Sequence, residues 1–148
     1  STYLNDYIKA VTNTNPYVKK WGNYTILYES KNIKVKLLSI APGEGISFQR
    51  HKKRNEFWVY KKGKLQLYYS DMEGEIKSPE DAKNALKCNW EPGETMRINK
   101  KVWHMVGNVG DKTAQILEVQ WGSKCSEDDI ERLFTWNKRH KYLSSRFA

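Results

Sequence analysis

The stretch Gly43-Glu-Gly-Ile-Ser-Phe-Gln49-Arg-His51-Lys-Lys-Arg-Asn-Glu56 decides the fold. Its apolar and β-branched residues, interrupted by Gly, Lys and Asn, are typical of two short strands joined by a turn. Alternate residues of a strand project from the same face, so Gln49 and His51 are expected to lie together. An amide, an imidazole and a carboxylate therefore follow one another on elements that can bring them into one site.

A second stretch, Gly93-Glu-Thr-Met-Arg-Ile-Asn-Lys-Lys-Val-Trp-His104-Met-Val-Gly-Asn108, adds another imidazole. First-row divalent metals bind such mixed nitrogen and oxygen sets and can keep a position open for substrate. The predicted metal ligands are Gln49, His51, Glu56 and His104. Taken singly, each of these side chains could instead belong to a polar cluster in the core, and the spaced set is a hypothesis.

The composition limits the number of domains, the fold class and the partners that this chain can have. The chain has 148 residues, enough for one domain with a sizeable core, and its aromatic residues suit a β-rich fold. The formal net charge of +9 attracts anions. Its Lys-Lys pairs are dispersed, however, and no nucleic-acid-binding motif is present, so we expect no nucleic-acid partner.

The cysteines and the apolar runs bear on location. Cys88 and Cys125 are far apart and lack Cys-x-x-Cys spacing, which favours two reduced thiols over a disulfide. No apolar run approaches the length of a membrane span, and no signal-peptide core is present near residue 1. We therefore expect a cytoplasmic protein with no membrane partner.

Short β-rich runs separated by turn residues dominate from residue 24 onward, which predicts a sandwich or barrel. The predicted strands are Tyr24–Tyr28, Ile33–Ile40, Ile46–His51, Glu56–Lys61, Lys64–Tyr69, Thr95–Ile98, Trp103–Val106 and Ala114–Trp121. Residues 1–20 are expected to form an N-terminal arm or helix. A polar insert is expected at about 71–89, with a short helix opening at Ser78-Pro79. Ser126-Glu-Asp-Asp129 predicts the cap of a C-terminal helix at about 126–137.

The two quoted stretches resemble the two signature motifs of cupins, with Gln49 in a position where many cupins have His. The resemblance implies an all-β fold, a cupin jelly roll or small antiparallel β-barrel, over residues 21–148. Asn99 and Lys101 stand in the usual Pro and Gly positions of the second motif.

A narrower resemblance covers roughly residues 20–139. Lys20-Trp21-Gly22, Arg54-Asn-Glu-Phe-Trp-Val59 and Leu117-Glu-Val-Gln-Trp-Gly122, followed by Ser126-Glu-Asp-Asp-Ile-Glu-Arg132, are similar to the type II phosphomannose isomerase domain. That domain is often fused behind a mannose-1-phosphate guanylyltransferase, and here it is expected to stand alone.

The resemblance implies a metal-dependent isomerase that interconverts mannose 6-phosphate and fructose 6-phosphate, a small-molecule sugar phosphate substrate. Zn²⁺ is the expected metal, and Mn²⁺, Fe²⁺ or Co²⁺ also suit the ligands. Glu118 is a candidate base, with a salt-bridged or outward-facing strand acid as the alternative, and Arg132 is a second candidate catalytic residue. The expected substrate-binding residues are Lys36, Arg54, Arg132 and Arg139. For Lys36, Arg132 and Arg139 the alternative is a solvated helix or strand face.

Two rival functions remain open. Phe57 stands where the family usually has His, and residues 135–138 depart from its terminal motif, which favours a non-catalytic cupin that binds a sugar or sugar nucleotide. The same ligands would also suit a different metal chemistry, such as that of a dioxygenase. A homodimer is expected in either case because open sheet edges tend to pair.

Overall fold

The computed structural model describes residues 15–70 and 86–136, which form two antiparallel β-sheets. The strands are β1 (Tyr17–Lys19), β2 (Gly22–Glu29), β3 (Ile33–Ile40), β4 (Phe48–Arg50), β5 (Arg54–Lys62), β6 (Leu65–Ser70), β7 (Leu86–Trp90), β8 (Thr95–Ile98), β9 (Trp103–Asn108), β10 (Ala114–Gly122) and β11 (Glu131–Phe134). One sheet has the order β1-β2-β3-β10-β5-β8, and the other has the order β11-β4-β9-β6-β7. The predicted all-β class is confirmed, and each predicted strand overlaps one of β2–β6 or β8–β10. The predicted strand Ile46–His51 is longer than β4, which is Phe48–Arg50.

The buried face of β10 is divided along its length. Its alternating pattern buries Ala114 and Ile116 at one end and Glu118 and Gln120 at the other. Period-two alternation explains why all four face inward, because they are two residues apart. The side chains at the apolar end pack into the main hydrophobic core. The polar end places buried polar side chains where a functional site can form.

The strands on either side of β10 repeat this division. On β3, Lys36 pairs in register with Glu118 and is buried with it. On β5, Glu56 pairs in register with Gln120, and Trp58 pairs with Glu118. The polar ends of three adjacent strands therefore coincide, and they place a buried polar cluster at one end of the fold.

The predicted C-terminal helix at about 126–137 is wrong. Residues 126–130 form a turn, and Glu131–Phe134 is strand β11, paired with β4. Instead of capping a helix, the Asp129 carboxylate accepts hydrogen bonds from the backbone amides of Lys52 and Lys53, at 3.1 and 2.9 Å. A tertiary contact therefore replaces the local helix cap that the sequence favours.

The other predicted helices fall mainly on residues 1–14 and 71–85, outside the described residues. At the edges of these ranges the structure shows strands. Tyr17–Lys19 is β1, and Leu86–Trp90 is β7, so the last part of the expected insert belongs to a sheet. Within the described part of the chain, no helix is long and apolar enough to span a membrane.

Asn108, the last residue of β9, ties two loops to the barrel. Its side-chain amide donates to the carbonyls of Ile40 and Lys112, at 2.9 and 2.8 Å, and its oxygen accepts from the Gly110 amide at 3.0 Å. Replacing Asn108 with alanine is expected to lower the free energy of unfolding by about 2–3 kcal/mol, because buried carbonyls lose their donors. Urea unfolding measures the change.

Asn99→Ala is the matched control, because the Asn99 side chain is exposed and accepts a single bond from Arg97. Its expected effect is within about 0.5 kcal/mol. Equal effects of the two substitutions would contradict the role assigned to Asn108.

Candidate metal centre

Three buried side chains converge at the polar end of the sheets. His51 follows β4, Glu56 lies on β5 and His104 lies on β9. Glu56 Oε1 is 3.1 Å from His104 Nε2 and 3.7 Å from His51 Nε2. One ligand atom from each residue lies within 4.8 Å of the others. The structure therefore brings together three of the four predicted ligands as one triad.

Backbone carbonyls fix both imidazole rings. His51 Nδ1 is 2.7 Å from the carbonyl oxygen of Asp129, and His104 Nδ1 is 2.9 Å from that of Val102. A carbonyl only accepts, so each Nδ1 carries the donated hydrogen, and in a neutral ring Nε2 then keeps its lone pair. Both Nε2 atoms face Glu56, in the orientation that metal-binding imidazoles adopt.

The triad fits a divalent metal. The buried atoms Glu56 Oε1 and His104 Nε2 have no hydrogen-bond partner although they lie 3.1 Å apart. Two such acceptors repel each other unless a proton or a cation lies between them. Metal–ligand bonds of about 2.0–2.2 Å place neighbouring ligand atoms little more than 3 Å apart, close to the spacing seen here.

Gln49, the fourth predicted ligand, lies beside the triad. Its Cα pairs in register with that of His104 across β4 and β9, so the two side chains project from the same face. Gln49 is nearly buried, and its Oε1 accepts a hydrogen bond from Ser47 Oγ at 3.1 Å. The placement agrees with the prediction, while ligation by Gln49 stays a prediction.

The buried Arg54 guanidinium supplies a positive charge to this cluster. Arg54 Nη2 lies 3.2 Å from Glu56 Oε2 and 3.3 Å from His51 Nε2, and Nη1 donates to the Ser126 carbonyl. Burial opposes ionisation of Glu56, but the nearby His104, His51 and Arg54 outweigh it and lower the pKa of Glu56. Burial also lowers the pKa of His51 to about 4, so this ring is neutral and able to ligate at pH 7.

Glu118 faces inward, which excludes the alternative of an outward-facing strand acid. Its Oε2 accepts from the Trp58 indole at 2.9 Å, and its Oε1 accepts from Gln120 Nε2 at 2.6 Å. Gln120 Nε2 also lies 3.4 Å from Glu56 Oε2, which links this carboxyl to the triad. Burial and the neighbouring Glu56 charge raise the pKa of Glu118 to about 8.

The predicted substrate-binding residues are placed differently from one another. Lys36 is buried, forms an ion pair with Glu127 and lies 4.2 Å from the ring centre of Tyr24. Lys36, Arg54, Glu118 and Arg132 line one cavity of about 90 Å³. Arg132 is exposed on β11, and Arg139 lies outside the described residues.

Lys101 keeps the turn of the second motif. It stands in the position where cupins usually have Gly, and its φ of 68° is left-handed. Its amide donates to the His51 carbonyl at 2.7 Å, and this bond ties the turn before His104 to the first motif. The turn therefore persists with a lysine in a conformation that glycine adopts more easily.

Asp129 is a positioning residue that the sequence suggested only as a helix cap. Its carbonyl orients His51, while its carboxylate binds the Lys52 and Lys53 amides. The sequence signal for Asp129 is ambiguous because capping a helix and capping a distant turn call for the same residue type.

Replacing Asp129 with alanine is expected to weaken metal affinity about ten-fold, because outer partners of metal ligands have effects of this size. The substitution keeps the carbonyl but frees the loop that holds it. Titration with Co²⁺, followed by its visible spectrum, measures both affinity and ligand geometry. Asp128→Ala is the matched control, since Asp128 pairs with Lys124 and Ser126 instead; an equal loss there would contradict the prediction.

Solved structures share the fold. A mutant of oxalate decarboxylase from Bacillus subtilis superposes on this chain with a TM-score of 0.65 at 20% identity. The match covers 83% of this chain and 31% of that one. The enzyme from Lactobacillus farciminis superposes equally well at 19% identity, over 82% and 34%. These similarities confirm the expected cupin architecture.

Curated relatives show the family more directly. A mannose-1-phosphate guanylyltransferase of Salmonella montevideo is 32% identical over 77% of this chain, and one of Sinorhizobium fredii is 28% identical over 78%. The chain spans about a fifth of these relatives, 21% and 20% of their lengths. The family model described as Mannose-6-phosphate isomerase C-terminal matches residues 8–135. By that match, the chain belongs to the mannose-6-phosphate isomerase C-terminal family, whose domain is built here on a cupin fold.

Proposed function

We propose that this domain is a metal-dependent isomerase that interconverts mannose 6-phosphate and fructose 6-phosphate. One observation carries the proposal: the buried carboxyl of Glu118 lines a cavity together with Gln49, beside the triad. A cavity that brings a predicted metal ligand and a buried acid together is the arrangement that proton transfer next to a polarised oxygen needs. Membership of the family supports the choice of substrate.

His51, Glu56, His104 and Gln49 would hold the metal, and Zn²⁺ is the first choice, with Mn²⁺, Fe²⁺ and Co²⁺ as alternatives. When bound, the metal supplies a Lewis acid that polarises the sugar's carbonyl and neighbouring hydroxyl oxygens. The hydrogen bonds from His51 and His104 to backbone carbonyls would keep the two Nε2 atoms directed at the metal.

Glu118 carries the proton between C1 and C2. As carboxylate it takes the proton from C2 of the aldose to give an enediol-type intermediate. As carboxylic acid it returns the proton to C1, and the proton of the O2 hydroxyl passes to O1, which gives the ketose. Trp58 and Gln120 hold its two oxygens, so the group keeps its orientation through both steps. Burial excludes water that would otherwise exchange with the transferred proton.

Lys36 and Arg54 contribute two positive charges to the wall of the cavity. Each is buried and paired with an acid, Lys36 with Glu127 and Arg54 with Glu56. Their donors remain close enough to the cavity to bind sugar hydroxyls. Arg132 is exposed on β11 and lines the same cavity, which supports its predicted role in substrate binding, while its catalytic role stays a prediction.

The test uses the full chain loaded separately with Zn²⁺, Mn²⁺, Fe²⁺ or Co²⁺ and incubated with fructose 6-phosphate. NMR is expected to detect mannose 6-phosphate with at least one metal. Binding of the sugar phosphate without turnover under all four metals would replace the proposal with the sugar-binding alternative. The homodimer and the cytoplasmic location stay predictions, which sedimentation and cell fractionation test.

A further inference from the structure

Two cavities meet at Gln49, which lines both of them. The inner one, of about 90 Å³, contains Glu118, and the outer one has a volume of about 240 Å³. The residues that line both are Lys19, Trp21, Ile46, Gln49 and Arg132. The cavities therefore share a wall, and a ligand that reaches Glu118 can extend into the outer cavity.

Arg132, Gln49 and His104 form a row across three strands. Arg132 pairs in register with Gln49 across β11 and β4, and Gln49 pairs with His104 across β4 and β9. Paired residues of antiparallel strands project from the same face. With strands about 4.8 Å apart, the Arg132 backbone lies about 10 Å from that of His104. This separation is comparable to an open-chain hexose phosphate between its carbonyl end and its phosphate.

The charges differ between the two cavities. The inner cations Lys36 and Arg54 are already paired with acids. Among the described residues, Lys19, Lys20 and Arg132 have no ion pair, and all three line the outer cavity. Lys19 contacts only the face of the Tyr24 ring, 5.8 Å from its centre. Unpaired cations beside a cavity attract an anion.

The hydroxyl-bearing residues Ser47 and Thr135 line the same cavity. The single acid there, Glu44, already has an interaction partner. A phosphate monoester, with a charge near −2 at pH 7, suits three cations better than a carboxylate does. Arg132 can bind two of its oxygens at once, and the lysines supply point charges.

We propose that Lys19, Lys20 and Arg132 form the phosphate subsite, which selects sugars phosphorylated at the end opposite the carbonyl. The inference rests on the proposed function for the choice of a sugar phosphate. It adds Lys19, the last residue of β1, and Lys20, which follows it. It also divides the site into an inner half for the reaction and an outer half that binds the anion. Gln49 lies at the boundary.

The experiment compares fructose 6-phosphate, fructose and inorganic phosphate as ligands of the metal-loaded full chain by calorimetry. Lys19→Gln and Lys20→Gln are each expected to weaken fructose 6-phosphate and phosphate binding about ten-fold, and Arg132→Gln by at least as much, because each removes a charge-assisted bond. Binding of fructose is expected to stay unchanged, as is metal content. Lys31→Gln is the control, since Lys31 is exposed in the β2–β3 turn and lines neither cavity.

Kinetics separate this inference from the proposed function. If the chain is an isomerase, the two lysine variants raise KM with little change in kcat, as expected for uniform binding. Loss of fructose 6-phosphate binding in the variants of a chain that never turns over supports the subsite and overturns the isomerase. Turnover with an unchanged KM in all three variants overturns the subsite and leaves the isomerase standing. A wild-type chain that binds fructose 6-phosphate no better than fructose also overturns the subsite.

Discussion

Replacing His51 with alanine is expected to abolish stoichiometric metal binding. The ring supplies one of the three converging ligand atoms, and the Asp129 carbonyl holds it in the orientation that ligation needs. Loss of an outer partner alone lowers affinity about 10–100-fold, and loss of the ligand itself is expected to exceed that range. Elemental analysis after dialysis measures the metal retained by each chain.

Glu56→Gln provides an independent second variant, because it removes the carboxylate charge with little change in volume. Glu131→Gln is the matched control: it removes an acid that pairs with Arg50 and Lys52 outside the triad. Circular dichroism checks that all three variants fold. Full metal content in folded His51→Ala protein would refute the metal centre and leave a polar core cluster as the explanation.

The second large effect is expected for Glu118→Gln. Positioned acid–base groups contribute roughly 10²–10⁴-fold to rate, so kcat for isomerisation is expected to fall by that range. Metal content is expected to remain full, because Glu118 is not a member of the triad and is linked to Glu56 through Gln120. Transfer of deuterium from C2 of labelled mannose 6-phosphate to C1 of fructose 6-phosphate, followed by NMR, reports the proton transfer directly.

Glu131→Gln again serves as the control and is expected to leave kcat within about two-fold, because Glu131 pairs with Arg50 and Lys52 and lines neither cavity. A Glu118→Gln protein that turns over normally would move the base to another residue. A protein that loses its metal as well would show that Glu118 maintains the triad instead, and metal analysis distinguishes these outcomes.

Much of the site was predictable because its residues lie on strands. Period-two alternation places Gln49 with His51 on one face, and motif spacing identifies Glu56 and His104. The sequence also predicts where most strands lie, since turn residues separate β-rich runs. The local sequence pattern was therefore sufficient to predict those parts of the site that strand geometry determines.

The sequence failed where a distant partner decides the structure. Ser126-Glu-Asp-Asp129 has the composition of a helix cap, but the Asp129 carboxylate binds amides that lie 76 and 77 residues away. Lys19 belongs to no motif, and Gln120 lies in the Leu117–Gly122 stretch without being predicted as a site residue. Their proximity to the site follows from strand register and from shared cavities, which only the folded chain reveals.

The hydrogen bond from His51 Nδ1 to the Asp129 carbonyl spans 78 residues of sequence. During synthesis from the N-terminus, the first motif leaves the ribosome long before the residue that orients its imidazole. Contacts of such long range form late because closing the loop costs entropy first. Tight metal capture is therefore an end point of folding, so a nascent chain cut before residue 129 would present His51, Glu56 and His104 without completing the centre.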